Sequence, residues 1–178
     1  MHVYDVAVYI IDALKVNGEP TVTNLALNKL LYFAQGHFLA QTGDLLFEDD
    51  FAAWDLGPVV PIIYHICKPF GHSPVILTDR NQAQSPDEFE SAVLDDVIRE
   101  YGIYSAFHLV NLSHKEGSPW SMVGRNEVIP AQLIAEHFAQ NPLEVSDEEL
   151  DADRATFDGL MANFSEDDYV SEDEAFGV

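Results

Sequence analysis

The 178 residues contain a single cysteine, Cys67, so no internal disulfide can form. Its apolar surroundings, Ile62, Ile63 and Ile66, suit a small buried thiol, and a reducing cytosol accommodates it. Positive charge is also scarce. Eight Lys and Arg stand against 31 Asp and Glu, a formal net charge of -23. A surface that negative repels phosphate backbones and anionic lipid and attracts basic partners, so direct DNA binding is not expected. No run approaches the roughly 18 apolar residues that span a bilayer, and Met-His-Val-Tyr-Asp at the start carries no cationic region. Neither membrane insertion nor a secretion signal is expected, and the cytoplasm is the expected compartment.

Enzyme signatures are missing too. There is no Gly-x-Gly-x-x-Gly, no Gly-Lys-Ser/Thr phosphate loop, no His-Glu-x-x-His and no Gly-x-Ser-x-Gly. His108 and His114 lie six residues apart, about 120° around a continuous helix, which strains shared metal ligation. His65 and His72 straddle a helix end marked by Pro69 and Gly71, and nothing in their spacing forms a ligand set. As a nucleophile Cys67 would need a positioned base and an electropositive setting, and no sequence motif supplies them. The expectation is a protein without catalytic residues, metal or cofactor.

What is present is a core: 47% of residues are hydrophobic and 11% aromatic, which excludes wholesale disorder. Val3, Val6, Ala7, Ile10, Ile11 and Leu14 follow helical spacing, ended by Asn17-Gly18. A second helix begins near Thr23 or Asn24 and carries Leu27, Leu30, Leu31, Ala34 and Phe38 before Gly43. Leu25, Ala26, Tyr32 and Phe33 widen its apolar surface, so it is expected at the centre. Leu45-Leu46-Phe47 and Phe51-Ala52-Ala53-Trp54 flank Glu48-Asp49-Asp50 and read as a small hairpin, after which Gly57-Pro58 breaks the chain. Pro61 opens a third helix to about Lys68, and Val75-Ile76-Leu77 suggests a short strand. Ser85-Pro86-Asp87-Glu88 reads as a capping box for a fourth helix closed by Gly102. Ser105 caps a fifth, and Pro130 starts a sixth that stops at Asn141-Pro142. The fold class is mainly α, a compact bundle of about six helices with a minor hairpin.

Lys29, among Leu27, Asn28, Leu30 and Leu31 on the central helix, needs a solvent route or a carboxylate partner, since an unpaired buried ammonium is costly. A structural ion pair with Asp55 is expected rather than a catalytic amine. Trp54 and Trp120, each beside a turn, read as lids on the core.

Three blocks carry a family likeness. They are Leu27-Asn28-Lys29-Leu30-Leu31-Tyr32-Phe33-Ala34-Gln35-Gly36; Phe51-Ala52-Ala53-Trp54-Asp55-Leu56-Gly57-Pro58-Val59-Val60-Pro61 with Tyr64; and Leu112-Ser113-His114-Lys115-Glu116-Gly117-Ser118-Pro119-Trp120. In order and spacing, over roughly residues 3 to 140, they resemble the Panacea domain, a family grouped with phage-associated GepA-like proteins and SocA-like antitoxins. Asn28 stands where that pattern commonly has glutamine, and Ser113 where it commonly has threonine. The resemblance implies an antitoxin that neutralises a cognate protein toxin by direct binding, or an adaptor that delivers its client to a protease. Leu27, Lys29, Leu30, Leu31, Tyr32, Trp54, Gly57, Pro58, Tyr64, His114, Pro119 and Trp120 carry the likeness and read as scaffold, because specificity that differs between pairs belongs on variable surface.

The likeness does not extend past Pro142, where composition changes. Residues 143 to 178 hold 13 acidic residues and one basic residue, Arg154. Ser146-Asp147-Glu148-Glu149 forms a capping box, and Leu150, Phe157, Leu160, Met161 and Phe164 fall on helical spacing. The domain reading is therefore a helical domain over 1–142 and an acidic extension over 143–178, with an amphipathic helix over 146–164 and an end too charged to pack, expected to be disordered. Those five apolar residues are the expected anchors for a toxin with a basic surface. The competing expectation is that this helix packs on its own domain. An acidic nucleic-acid mimic of phage origin is the remaining alternative.

Overall fold

The computed structural model describes residues 1–77 and 85–143. Six helices and a small antiparallel sheet follow in the order α1 (Val3–Ala13), α2 (Asn24–Thr42), β1 (Phe51–Trp54), β2 (Gly57–Val59), α3 (Pro61–Cys67), α4 (Glu88–Tyr101), α5 (Ala106–Ser113), β3 (Val128–Ile129) and α6 (Ala131–Gln140). Short 3-10 turns at Lys68–Phe70 and Pro119–Met122 link them. Residues 144–178 lie outside the described residues, and with them Leu150, Phe157, Leu160, Met161 and Phe164.

Helix α2 is the axis. It packs against all five other helices and β2, and 15 of its 19 residues are buried. A helix apolar on one stripe alone could not satisfy neighbours on every side, which is why Leu25, Ala26, Tyr32 and Phe33 widen the stripe of Leu27, Leu30 and Leu31. Thr23 caps it by accepting from the Ala26 amide. Gly36 is dictated by α6: a Cβ there would sit 2.2 Å from the Phe138 ring. That close approach seats Phe138 edge-on to Tyr32, Phe33 and His37, with ring centroids 4.6–6.0 Å apart.

Several sequence expectations shift. Leu45-Leu46-Phe47 is not a strand; β1 pairs instead with β2, Ala52 opposite Val59 and Trp54 opposite Gly57, and with β3, Phe51 opposite Ile129. The sheet order is β2-β1-β3. The reason lies in Gln35. Its side-chain oxygen accepts from the Leu46 and Phe47 amides at 3.0 and 3.2 Å, and its amide donates to the Phe47 carbonyl at 3.0 Å. Those groups are therefore engaged by a helix side chain and unavailable to a ladder. Gly57-Pro58 does not break the chain but continues it as an outer strand, where a missing amide is tolerated. Val75 bonds to Val22 at 2.8 Å, yet its segment stays irregular instead of joining the sheet. The α4 cap is Asp87, whose carboxylate and that of Glu90 complete the capping box, two residues past Ser85. An ionised acceptor suits the positive end of the helix better than a hydroxyl. Ser105 caps α5 as expected, accepting from the His108 amide.

Candidate functional site

The three blocks meet around Gly57. From α2, Asn28 accepts from the Val60 amide at 3.0 Å and Asn24 donates to the Tyr64 carbonyl at 3.2 Å. Asn28 also donates to the Asn24 side chain at 2.9 Å, so the two amides act as one clamp on the β2–α3 junction. Lys29 completes it: its Nζ donates to the Pro58 carbonyl at 2.8 Å. This corrects the expected pairing with Asp55. The ammonium stem is fully buried and reaches a backbone oxygen, while Asp55 lies on the outer side of the β1–β2 turn and pairs with Arg125 at 2.6 Å.

From the other side, α5 ends at Ser113, whose hydroxyl donates to the Val110 carbonyl, and the chain turns at His114. The His114 ring stacks parallel on Trp120, with centroids 3.7 Å apart. Trp120 in turn donates its indole N–H to the Trp54 carbonyl at 2.8 Å. Pro119 is buried and Ser118 caps the 3-10 turn that presents Trp120. Gly57, at φ +99°, is the point of closest approach: a Cβ there would lie 2.6 Å from Ser113 Oγ, 2.9 Å from Lys29 Cε and 3.2 Å from His114 Nε2. Only glycine meets both the backbone and the space requirement.

Burial sets the electrostatics of this knot. It pushes the Lys29 amine from 10.5 down to about 7. It also pushes His114 down to about 4, with help from the nearby Lys29, and His114 Nε2 is buried without a hydrogen-bond partner among the described residues. His108 sits elsewhere, stacked on Tyr104 at 4.3 Å, and His65 lies edge-on to Trp54 and Tyr64. Among the described residues no group of three His, Cys, Asp or Glu is arranged to hold a metal ion. Cys67 is buried inside α3.

Leu27, Leu30, Leu31, Tyr32 and Tyr64 are all at most 2% exposed, which is what a scaffold requires. Trp54 and Trp120 differ: each is only partly buried, and together they wall a surface cleft of about 240 Å³. Ala53, Asp55, Ser121, Val123 and Arg125 complete its lining. Sequence reasoning missed Val123 and Arg125 because they belong to no motif, and missed Gln35 and Asn24 as backbone clamps. The i, i+4 spacing of Asn24 and Asn28 on an otherwise apolar helix was the available signal.

The Antitoxin SocA-like, Panacea domain family matches residues 27–121, a stretch that spans all three blocks and more than half of the chain. The chain belongs to this family. Its Panacea domain is similar to Antitoxin SocA of Caulobacter vibrioides (strain NA1000 / CB15N), 36% identical over 112 residues that cover 57% of this chain. The match covers 60% of the length of that relative. No solved structure matches. The matched stretch ends just after Trp120, so the Panacea domain supplies the two indoles of the cleft, and residues beyond it supply Val123 and Arg125. Among the described residues no helix is long and apolar enough to cross a membrane.

Proposed function

We propose that this chain is a cytoplasmic antitoxin that neutralises a cognate protein toxin by direct binding and transforms no substrate itself. The observation that carries the reading is family membership, joined to 36% identity with a protein named Antitoxin SocA. The charge of -23 fits a toxin with a basic face, because complementary potentials speed encounter and disfavour wrong partners. Lys29, Gly57, Pro58 and His114, which carry the family likeness, are engaged in the knot that holds the β1–β2–α3 region on α2, which supports a reading in which partner choice rests on the surface and on the segment beyond the domain. In that segment Leu150, Phe157, Leu160, Met161 and Phe164 are the proposed apolar anchors of a helix-in-groove contact, with carboxylates around them to steer association.

The test is growth rescue. The reading frame adjacent to this chain's gene is expressed alone and then together with it. Arrest in the first case and growth in the second are expected, and Phe157→Ala with Phe164→Ala abolishes rescue. A harmless neighbouring product, or a toxic one that this chain neither binds nor relieves, refutes the reading. A toxin that accumulates when this chain is removed marks delivery to a protease instead of direct neutralisation.

A further inference from the structure

We infer that Asn17 is a site of spontaneous covalent modification, closing to a succinimide on the Gly18 nitrogen and ageing to aspartate and isoaspartate, and that the aged chain is a substrate for enzymes that methylate isoaspartyl carboxylates. The inference stands apart from the antitoxin reading. Asn17-Gly18 is the one Asn-Gly pair in the sequence, and the fold leaves it in the open. The pair forms a two-residue turn between Val16 and Glu19, which are bridged by backbone hydrogen bonds of 3.0 and 2.9 Å. Both turn residues have positive φ, +52° and +82°, the mirror-image turn that Asn-Gly favours. All four residues are exposed. Among the described residues the Gly18 amide donates to no acceptor, and a Cβ built on Gly18 would meet nothing within 4 Å. The attacking nitrogen is therefore uncrowded as well as unengaged.

The Gly18 nitrogen bonds to Asn17 Cγ, its proton passes through water to Nδ2, and the Cγ–Nδ2 bond breaks as ammonia leaves. Water then opens the ring. Attack at Cγ gives aspartate, and attack at the main-chain carbonyl gives isoaspartate, through which the main chain runs one atom longer. Ring closure requires the turn to open, and two hydrogen bonds on an exposed segment oppose that opening only weakly. A two-residue turn does not tolerate the extra atom, so isoaspartate breaks the Val16–Glu19 bridge, whereas aspartate keeps the left-handed backbone and the bridge. The other asparagines of the described domain show what is special here. Asn126 shares the positive φ, at +64°, but the residue after it is Glu127, whose amide already donates to the Gly124 carbonyl at 3.1 Å. Asn141 precedes Pro142, which has no amide proton to give up. Asn24 and Asn28 are buried in α2 with their side chains hydrogen-bonded.

The test ages the full-length protein for weeks in warm neutral buffer and follows the tryptic peptide 16–29 by mass spectrometry with fragmentation. That peptide carries Asn17, Asn24 and Asn28 together, so two buried asparagines serve as internal controls. A gain of about one dalton is expected at Asn17, at least about tenfold faster than at either control. The same peptide is expected to accept labelled methyl groups from S-adenosylmethionine in the presence of an isoaspartyl methyltransferase, in step with the mass gain. Asn17→Gln, whose closure would need a six-membered ring, abolishes both signals. Asp158-Gly159, outside the described residues, can isomerise without a change of mass, so methylation counts only where it maps to 16–29. The folded chain is expected to convert at Asn17 within about tenfold of its rate in urea, because the turn opens easily. Conversion of Asn17 no faster than that of Asn24 and Asn28 overturns the inference. A folded rate about a hundredfold or more below the rate in urea means that the turn protects Asn17, and overturns it too. So does a mass gain without methyl acceptance, or methyl acceptance in 16–29 that survives Asn17→Gln.

Discussion

Replacing Lys29 with methionine should flatten the pH dependence of stability on the alkaline side. Burial lowers the amine from 10.5 to about 7 in the folded chain, so between those values the unfolded chain binds one proton more than the folded one. Stability therefore rises with pH through this window, at a limiting slope of about 1.4 kcal/mol per pH unit. Integrated between pH 7.5 and 9.5, wild type gains about 2–3 kcal/mol from Lys29 alone. The upper limit matters, because Tyr9, raised to about 12 by burial and by its hydrogen bond to Asp95, begins to oppose the trend above its unfolded value near 10. Methionine keeps the length and apolar stem and removes the titrating group. Urea denaturation at half-unit intervals, wild type against Lys29→Met, cancels every other titration. A difference in unfolding free energy that grows by about 2–3 kcal/mol across the window supports a buried amine held, among the described residues, by the Pro58 carbonyl. Parallel curves refute it and imply a carboxylate or solvent near Nζ.

Gly57→Ala forces a Cβ into Ser113 and Lys29 at a positive φ and should cost about 3 kcal/mol, read from the urea midpoint, with loss of the near-ultraviolet signal of the Trp54–Trp120 pair. Gln35→Leu orphans the Leu46 and Phe47 amides and the Phe47 carbonyl and should cost about 3 kcal/mol or more, whereas Gln35→Glu, which still accepts from both amides, costs less. In acid, His37 is held neutral by burial, with His137 adding to the effect; it falls from 6.5 to about 4 and shares a 3.0 Å hydrogen bond with Tyr101. The unfolded chain then binds the extra proton below pH 6.5, so stability is lost as pH falls toward 4. His37→Phe should remove about 2–3 kcal/mol of that loss between pH 6.5 and 4.5, measured as the difference between the two unfolding curves.

Helices were legible because periodicity and caps are local: Thr23, Ser105 and the stripe of α1 needed no tertiary information. The sheet was not, since Leu45-Leu46-Phe47 has strand composition and its fate depends on Gln35, a residue ten positions upstream on another element. Lys29 illustrates a related failure. Sequence reasoning demanded a partner for a buried ammonium and chose a carboxylate, whereas burial lowers the amine's basicity until one backbone carbonyl suffices. Trp54 and Trp120 read as lids because their size favours a core. Both are partly exposed, and they are joined by a hydrogen bond from the Trp120 indole to the Trp54 carbonyl across 66 residues, which no spacing rule encodes. The family blocks were visible as motifs, but their meeting at Gly57 is a property of the fold.

Neutralisation by covering is stoichiometric, and a titration of purified toxin activity against this chain tests that most directly. Covering predicts a linear fall to zero at a fixed molar ratio, with full activity recovered when high salt separates the two proteins. Loss of toxin activity at a small fraction of that ratio, growing with time and persisting after separation, would mean turnover and contradict covering.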